Sequence, residues 1–454
     1  MVRTTRCLGF LAGRSLAALL LALIAAACSA ASERAVTPSV ETPPSTTPSL
    51  STTAAPSPGE PAELERVAEP LRLAPPEGGS FVVHGRYPPT PSPCLVPDVP
   101  TLAGRFPGTL RIDRADDGSL SLSVVLPFER YLEGIAEVPP SWPRAALEAQ
   151  AIAARSYALA TTGWAGAEGE SLDEPICATT ACQVYRGIPV PPDPEHRRWV
   201  RAVRRTTGRM LLSGGRPATA VYFSTSNGRT YANEDVFGST PLSYLRPVAE
   251  RDDGDSPSSR WHVRVPFRDL TRFLRAAGSW PLGRSIRAAR PRGDHVILRG
   301  GGARRTLDVS ELRDALNEWA PCLRPARYPT TNPRGTLPLT IPSNWVTVST
   351  DGDALVFAGR GWGHGVGMVQ WGAYGKARHG RSASDILAFY YGGLRPRRWP
   401  EPGTIRVEVA TGLARVRVRA SGTGARLGGR PFPGRLLVIS GGDRLHVRAP
   451  GGTP

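Results

Sequence analysis

Lysine is almost absent from this chain. Lys376 stands alone, so the formal net charge of +17 rests on arginine. So basic a balance points to an anionic partner, whether nucleic acid, acidic lipid or an acidic wall polymer, without choosing among them. Long apolar runs are also missing. Beyond residue 27 no segment is apolar for long enough to form a transmembrane helix. Cofactor spacings are missing as well. The glycine-rich stretch 359–368 fits neither the Walker nor the dinucleotide pattern, and a lone His364 is no metal motif. No internal repeat stands out. Gly 49 and Pro 46 interrupt the chain too often for many long helices, while 40% hydrophobic residues suffice for a core. At 454 residues there is room for two ordinary domains, or one large domain with appendages.

The N-terminus points to export. Arg3, Arg6 and Arg14 flank or precede an apolar run from Ser15 to Ala27, too short for a stable membrane span and laid out as a secretory signal. The run ends Ala25-Ala26-Ala27-Cys28, which resembles a bacterial lipoprotein signal with Cys28 as the lipidated residue. Cleavage with simple secretion is the alternative. Either route removes nucleic acid from the candidate partners. Residues 1–27 are therefore expected to be the signal. Residues 28–75, rich in Pro, Ser, Thr and Ala, are expected to form a disordered tether, unable to bury enough surface to offset chain entropy. Its flexible reach is roughly 35–40 Å. Cys94, Cys177, Cys182 and Cys322 then remain in an oxidising compartment, and their even number suggests disulfides.

Farther along, the pattern is α+β. Thr109 to Ile112 and Ser119 to Val124 alternate with period two around an Asp116-Asp117-Gly118 turn, predicting a hairpin over 108–126. Phe128, Leu132 and Ile135 have helical spacing, predicting a helix from 128 to 137 that stops before Pro139-Pro140. A second, alanine-rich helix follows from a Ser141 cap to about Ala160. The two form a helical hairpin with Glu137 at its corner. Residues 384–391 read as another helix, ended by Gly392. Alternation from 403 onward reads as a small C-terminal β appendage. The expected domains are 76–398 for the main unit and 399–454 for the appendage and tail.

Several stretches carry a resemblance. Phe128 to Pro139, the helix Ala145 to Leu159 ending Ala154-Arg155-Ser156-Tyr157, Cys182 to Gly187, Ser224 to Gly228 and the Gly359–Ala373 loop occur in the order of the SpoIID/LytB family. The resemblance covers about 108 to 393. It implies a SpoIID-type domain acting on peptidoglycan glycan strands. Glu137 matches the catalytic acid/base of the family's lytic transglycosylases, and Arg155 an arginine assigned to their active site. Such an enzyme cleaves between N-acetylmuramic acid and N-acetylglucosamine with one carboxyl, without a cofactor. Glu133 is the candidate second carboxyl for a hydrolase, and is expected instead as a solvated surface residue. Trp362, His364 and Gln370 in the glycine loop, with Ser226 and Asn227, are the expected sugar-binding residues, Trp371 offering a further stacking face. A tightly packed structural loop is the alternative for the glycine stretch.

The resemblance also implies an alternative function, since amidase-enhancer members bind wall and stimulate a separate cell-wall amidase. Some members hold zinc near the Cys-Gln pair. Here Ala181 stands where a histidine is frequent and only two ligands can be named. A Cys177–Cys182 disulfide, with no metal, is the expectation.

Overall fold

The computed structural model describes residues 70–75, 77–86, 104–166, 171–189, 194–328, 340–421, 425–431, 436–442 and 445–448. The expected signal, Cys28, nearly all of the tether and Cys94 lie outside these residues. The predicted hairpin is present: Thr109–Arg114 and Leu120–Pro127 pair antiparallel, with Leu110 opposite Val124 and Ile112 opposite Leu122. All four side chains are fully buried. Period-two alternation places them on the inner face, where each aliphatic side chain is worth roughly 1.5–3 kcal/mol of burial.

The hairpin belongs to a seven-stranded sheet whose order corrects two expectations. Thr404–Leu413 lies between Leu120–Pro127, which it pairs antiparallel, and Ser171–Cys177, which it pairs parallel. The C-terminal strands are thus not an appendage. Ile405 and Val407 complete the same core face, and alternation alone carries no information about which strand is the neighbour. At the other side of the hairpin, Leu71–Ala74 pairs with Thr109–Arg114. The expected tether therefore ends before residue 71, because Leu71 and Leu73 are buried in this core. A six-stranded sheet joins His446–Arg448, Leu436–Ser440, Arg415–Ala420, Phe81–Arg86, Gly104–Phe106 and Ile188–Pro189 in that order.

Eight helices occur among the described residues. Helix α1 is Phe128–Glu133 and α2 is Arg144–Thr161. Both are shorter at the shared corner than the sequence predicts. Helix α1 stops because residues after Gly134 pair elsewhere: Ile135 bridges Tyr185, and the Ala136 N–H donates to the Val184 carbonyl at 2.9 Å. Helix α2 starts after Pro143, which occupies the N-cap in place of Ser141. Its alanines are almost all buried, so neighbouring chains approach its backbone closely. Helices α3 (His196–Arg205) and α4 (Asn233–Phe237) follow.

A second lobe spans 261–359. It contains α5 (Phe267–Ala276), α6 (Val309–Leu323) and two three-stranded antiparallel sheets. Phe273, Leu312, Leu316 and Phe357 give it a separate core. Asp308 and Glu311 close the start of α6 with a capping box. Helices α7 (Gln370–Arg378) and α8 (Ala383–Tyr390) return to the first lobe. There they share a third core with Ile152 of α2, Phe223 and Met368. The α8 prediction matches within a residue, with Ser382 accepting from the Asp385 N–H at 3.2 Å. This mixed α+β architecture brings α2, α7 and the strand Tyr222–Phe223 around the corner that holds Glu137.

Candidate functional site

Glu137 lies in the non-helical link between α1 and α2. Two features fix it. Pro139 and Pro140 stiffen the chain after it, and the segment 183–186 pairs alongside the residues before it. That segment leaves a short loop closed by a Cys177–Cys182 disulfide, the pairing expected from the sequence. The Val184 N–H then donates to Glu137 Oε1 at 2.6 Å, while the Arg186 N–H donates to the Gly134 carbonyl at 3.0 Å.

Burial dominates the electrostatics. It pushes the Glu137 carboxyl from 4.5 up to about 7, against the opposing pull of the Val184 N–H, Gln370, the Arg186 charge and Tyr222. Tyr131, Tyr157 and Tyr222 lie close enough to feel the Glu137 charge, which adds to the upward push that burial gives each of their phenols. Near neutrality the carboxyl is shared between protonated and ionised forms, so it can both give and accept a proton.

Buried amides extend the site. Gln183 is fully buried; its Nε2 donates to the Tyr131 hydroxyl at 3.2 Å and the Ala154 carbonyl at 3.1 Å. Its Oε1 accepts from the Tyr222 hydroxyl at 2.8 Å. Gln370, first residue of α7, donates through Nε2 to Gln150 Oε1 on α2 at 3.4 Å. The Gln150 Nε2 is buried with no hydrogen-bond partner among the described residues, which leaves a donor for a ligand. Gln150, Gln183 and Tyr222 were not singled out from the sequence. The two glutamines stand inside the matching stretches, but an isolated Gln gives no period or charge signal.

Arg155, expected in the active site, is engaged by other residues than Glu137. It is fully buried, with ion pairs to Glu129 at 2.6 Å and Glu401 at 2.5 Å. It also donates to Thr206 Oγ1 at 3.2 Å. No hydrogen bond or ion pair joins it to Glu137, and its contacts tie α1, α2 and the chain after α3 together. Glu133 is a correction. It is buried rather than solvated, its carboxylate held by Arg130 at 2.5 Å and Arg204 at 3.0 Å. Two guanidinium groups cover the carboxylate and offset the cost of burying it.

The glycine loop packs against protein. Gly367 has φ +76°, and a Cβ there would come within 2.1 Å of the Val221 carbonyl oxygen. This close approach lets Met368–Val369 pair in parallel with Tyr222–Phe223. His364 is satisfied internally: its Nε2 donates to the Tyr222 carbonyl at 2.9 Å, and its Nδ1 accepts from the Val366 N–H at 3.1 Å. Burial pushes its pKa down to about 4, so the ring is neutral. Trp362 exchanges backbone hydrogen bonds with Thr225 and is half-buried. Trp371 sits in an aromatic cluster with Trp142 and Tyr374, at centroid distances of 5.0 and 5.3 Å. Ser226 donates to Asp253 Oδ2 at 2.8 Å, and Asn227 Nδ2 donates to the Tyr231 hydroxyl at 2.8 Å. Of the residues expected to bind sugar, Gln370 is the one drawn to Glu137.

Residues 116–212, from the hairpin through α1, α2, the disulfide loop and α3, match the family model described as SpoIID, Stage II sporulation protein. The chain carries a SpoIID domain. Its similarity to characterised and uncharacterised relatives runs well beyond that segment. The "Amidase enhancer" of Bacillus subtilis (strain 168) is 29% identical over 290 residues, 57% of this chain and 38% of that protein. "Stage II sporulation protein D" of the same strain is 26% identical over 285 residues, 60% of this chain and 74% of that one. Its counterpart in Bacillus amyloliquefaciens is 28% identical over 288 residues, covering 59% and 74%. The match thus spans well under half of the amidase enhancer's length. Zinc finds no ligand set beside the Cys177–Cys182 disulfide, since both sulfurs are tied to each other and no group of three His, Cys, Asp or Glu among the described residues is placed to hold a metal ion. No helix among those residues is long and apolar enough to cross a membrane.

Proposed function

We propose that this SpoIID domain binds peptidoglycan glycan strands and cleaves them as a lytic transglycosylase, with Glu137 as the single acid/base. The observation that carries the reading is the Glu137 carboxyl, held at a stiff corner and pushed to about 7. In the protonated form it gives its proton to the glycosidic oxygen between N-acetylmuramic acid and N-acetylglucosamine. The anomeric C–O bond breaks and the N-acetylglucosamine end leaves as an alcohol. The carboxylate then takes the proton of the muramyl 6-hydroxyl as that oxygen bonds to the anomeric carbon. A 1,6-anhydro ring results, no water is consumed, and the carboxyl is protonated again. The Gln150 and Gln370 amides would orient the sugar. Glu133, locked between two arginines, is poorly suited to be the second carboxyl of a hydrolase.

The second reading is a wall-binding protein that stimulates a separate amidase, favoured by the likeness to the amidase enhancer. A digest of purified glycan strands, read by mass spectrometry, separates the two. Transglycosylase products end in 1,6-anhydromuramic acid, one water lighter than a reducing end. Binding without cutting, also after removal of stem peptides, would leave the enhancer reading. On either reading we infer that the chain is exported and held at the outer face of the cytoplasmic membrane through a lipid on Cys28.

A further inference from the structure

A groove of about 1000 Å³ runs along the second lobe between α5, the end of α6 and the strand entry at Ser285 to Arg287. Five arginines line it: Arg268, Arg272, Arg275, Arg287 and Arg324. Its two carboxylates are already engaged. Asp269 is buried and paired with Arg324 at 3.0 Å, and Asp353 pairs with Arg264 at 3.1 Å. Positive charge is therefore left over in the groove. The side chains of Arg272 and Arg287 make no hydrogen bond, ion pair or ring contact with any described residue.

The spacing is unfavourable without a ligand. Arg268, Arg272 and Arg275 stand at i, i+4 and i+7 of α5, on one helical face, where like charges destabilise a helix. The surrounding sequence does not dilute them, since residues 261–328 carry fourteen arginines against six Asp and Glu. Over that face the row climbs about 10 Å along the helix axis, room for more than one anionic group in line. A guanidinium fork matches the two equivalent oxygens of a phosphodiester. The groove opens no aromatic face, since Phe267 is 6% exposed, so it offers no platform for stacking bases. A concave surface also fits a chain better than a flat bilayer.

We propose that this groove binds a linear phosphate-bearing polyanion, of the phosphodiester type found in acidic wall polymers. The proposal stands on the groove alone and does not require Glu137 to be a catalyst. The test uses the full-length chain, a labelled poly(glycerol phosphate) probe and a salt series, with the double variant Arg272→Gln, Arg287→Gln beside the wild type. Wild-type binding should weaken linearly in log affinity against log salt, as counterion release dictates. The double variant should bind about tenfold more weakly, with a salt slope shallower by roughly 1 to 2. Its thermal unfolding midpoint should not fall, because neither side chain has a partner among the described residues and losing the Arg272 charge relieves the like-charged row on α5. Unchanged affinity and slope in the variant would overturn the assignment. So would wild-type binding to anionic-lipid vesicles or to single-stranded DNA as strong as to the probe, the first indicating a membrane surface and the second a nucleic-acid site.

Discussion

Replacing Glu137 with glutamine should stabilise the protein at alkaline pH and leave it unchanged near pH 4. The wild-type carboxyl titrates at about 7 when folded against 4.5 for an unperturbed group, burial being the main cause. Between those values the folded state holds a proton that the unfolded state has released. Stability therefore falls as pH rises, by about 1.4 kcal/mol per pH unit for one such group, and levels off above pH 7. Over the whole window the loss is about 3 kcal/mol. Glutamine does not ionise and escapes it. Its Oε1 still accepts from the Val184 N–H that reaches Glu137 at 2.6 Å, so little is lost in exchange. Urea unfolding of both proteins from pH 4 to pH 9 should give curves that coincide at the acid end and diverge to about 2–3 kcal/mol by pH 8. The same variant should lose two to four orders of magnitude in strand cleavage. Parallel curves across the range would refute the reasoning, because they would mean an ordinary carboxylate already ionised at pH 5, unsuited to act as the acid.

Arg155→Met should cost about 3–5 kcal/mol in urea unfolding, since it leaves Glu129 and Glu401 facing each other without their buried counter-charge. A variant that folds with near-native stability yet has lost cleavage would instead place Arg155 in the chemistry. For the anchor, mass analysis of the mature N-terminal peptide should find a diacylglyceryl-modified Cys28, and Cys28→Ala should leave the protein uncleaved or soluble. An unmodified wild-type N-terminus beyond residue 28 would exclude the lipid.

Much of the local structure was legible from residue pattern. Period-two alternation located the hairpin strands. Alanine-rich helical spacing located most of α2, and the Ser382–Gly392 stretch gave α8 its cap and its end. The shortage of zinc ligands around Cys177 and Cys182 favoured the disulfide that the structure contains. Glu137 was legible as a candidate through the stretch around it, and so was its stiff setting before two prolines. These features share a cause: each depends on near neighbours in the chain, through backbone propensity or a one-dimensional record of burial.

The tertiary structure decided what depends on distant partners. Helix α1 ends early because residues 135–136 pair with 184–185, a competition invisible in helical spacing. The C-terminal strand Thr404–Leu413 completes the central sheet because its aliphatic face fits between two strands far away in sequence. Glu133 and Arg155 read as exposed or catalytic until their ion pairs appear. His364 reads as a sugar contact until both ring nitrogens are seen bonded to backbone. The Glu137 carboxyl itself has no fixed proton affinity in the sequence. Val184, Tyr222 and Gln370 come from three other stretches of chain, and only their convergence sets the balance between burial and hydrogen bonding that moves it to about 7.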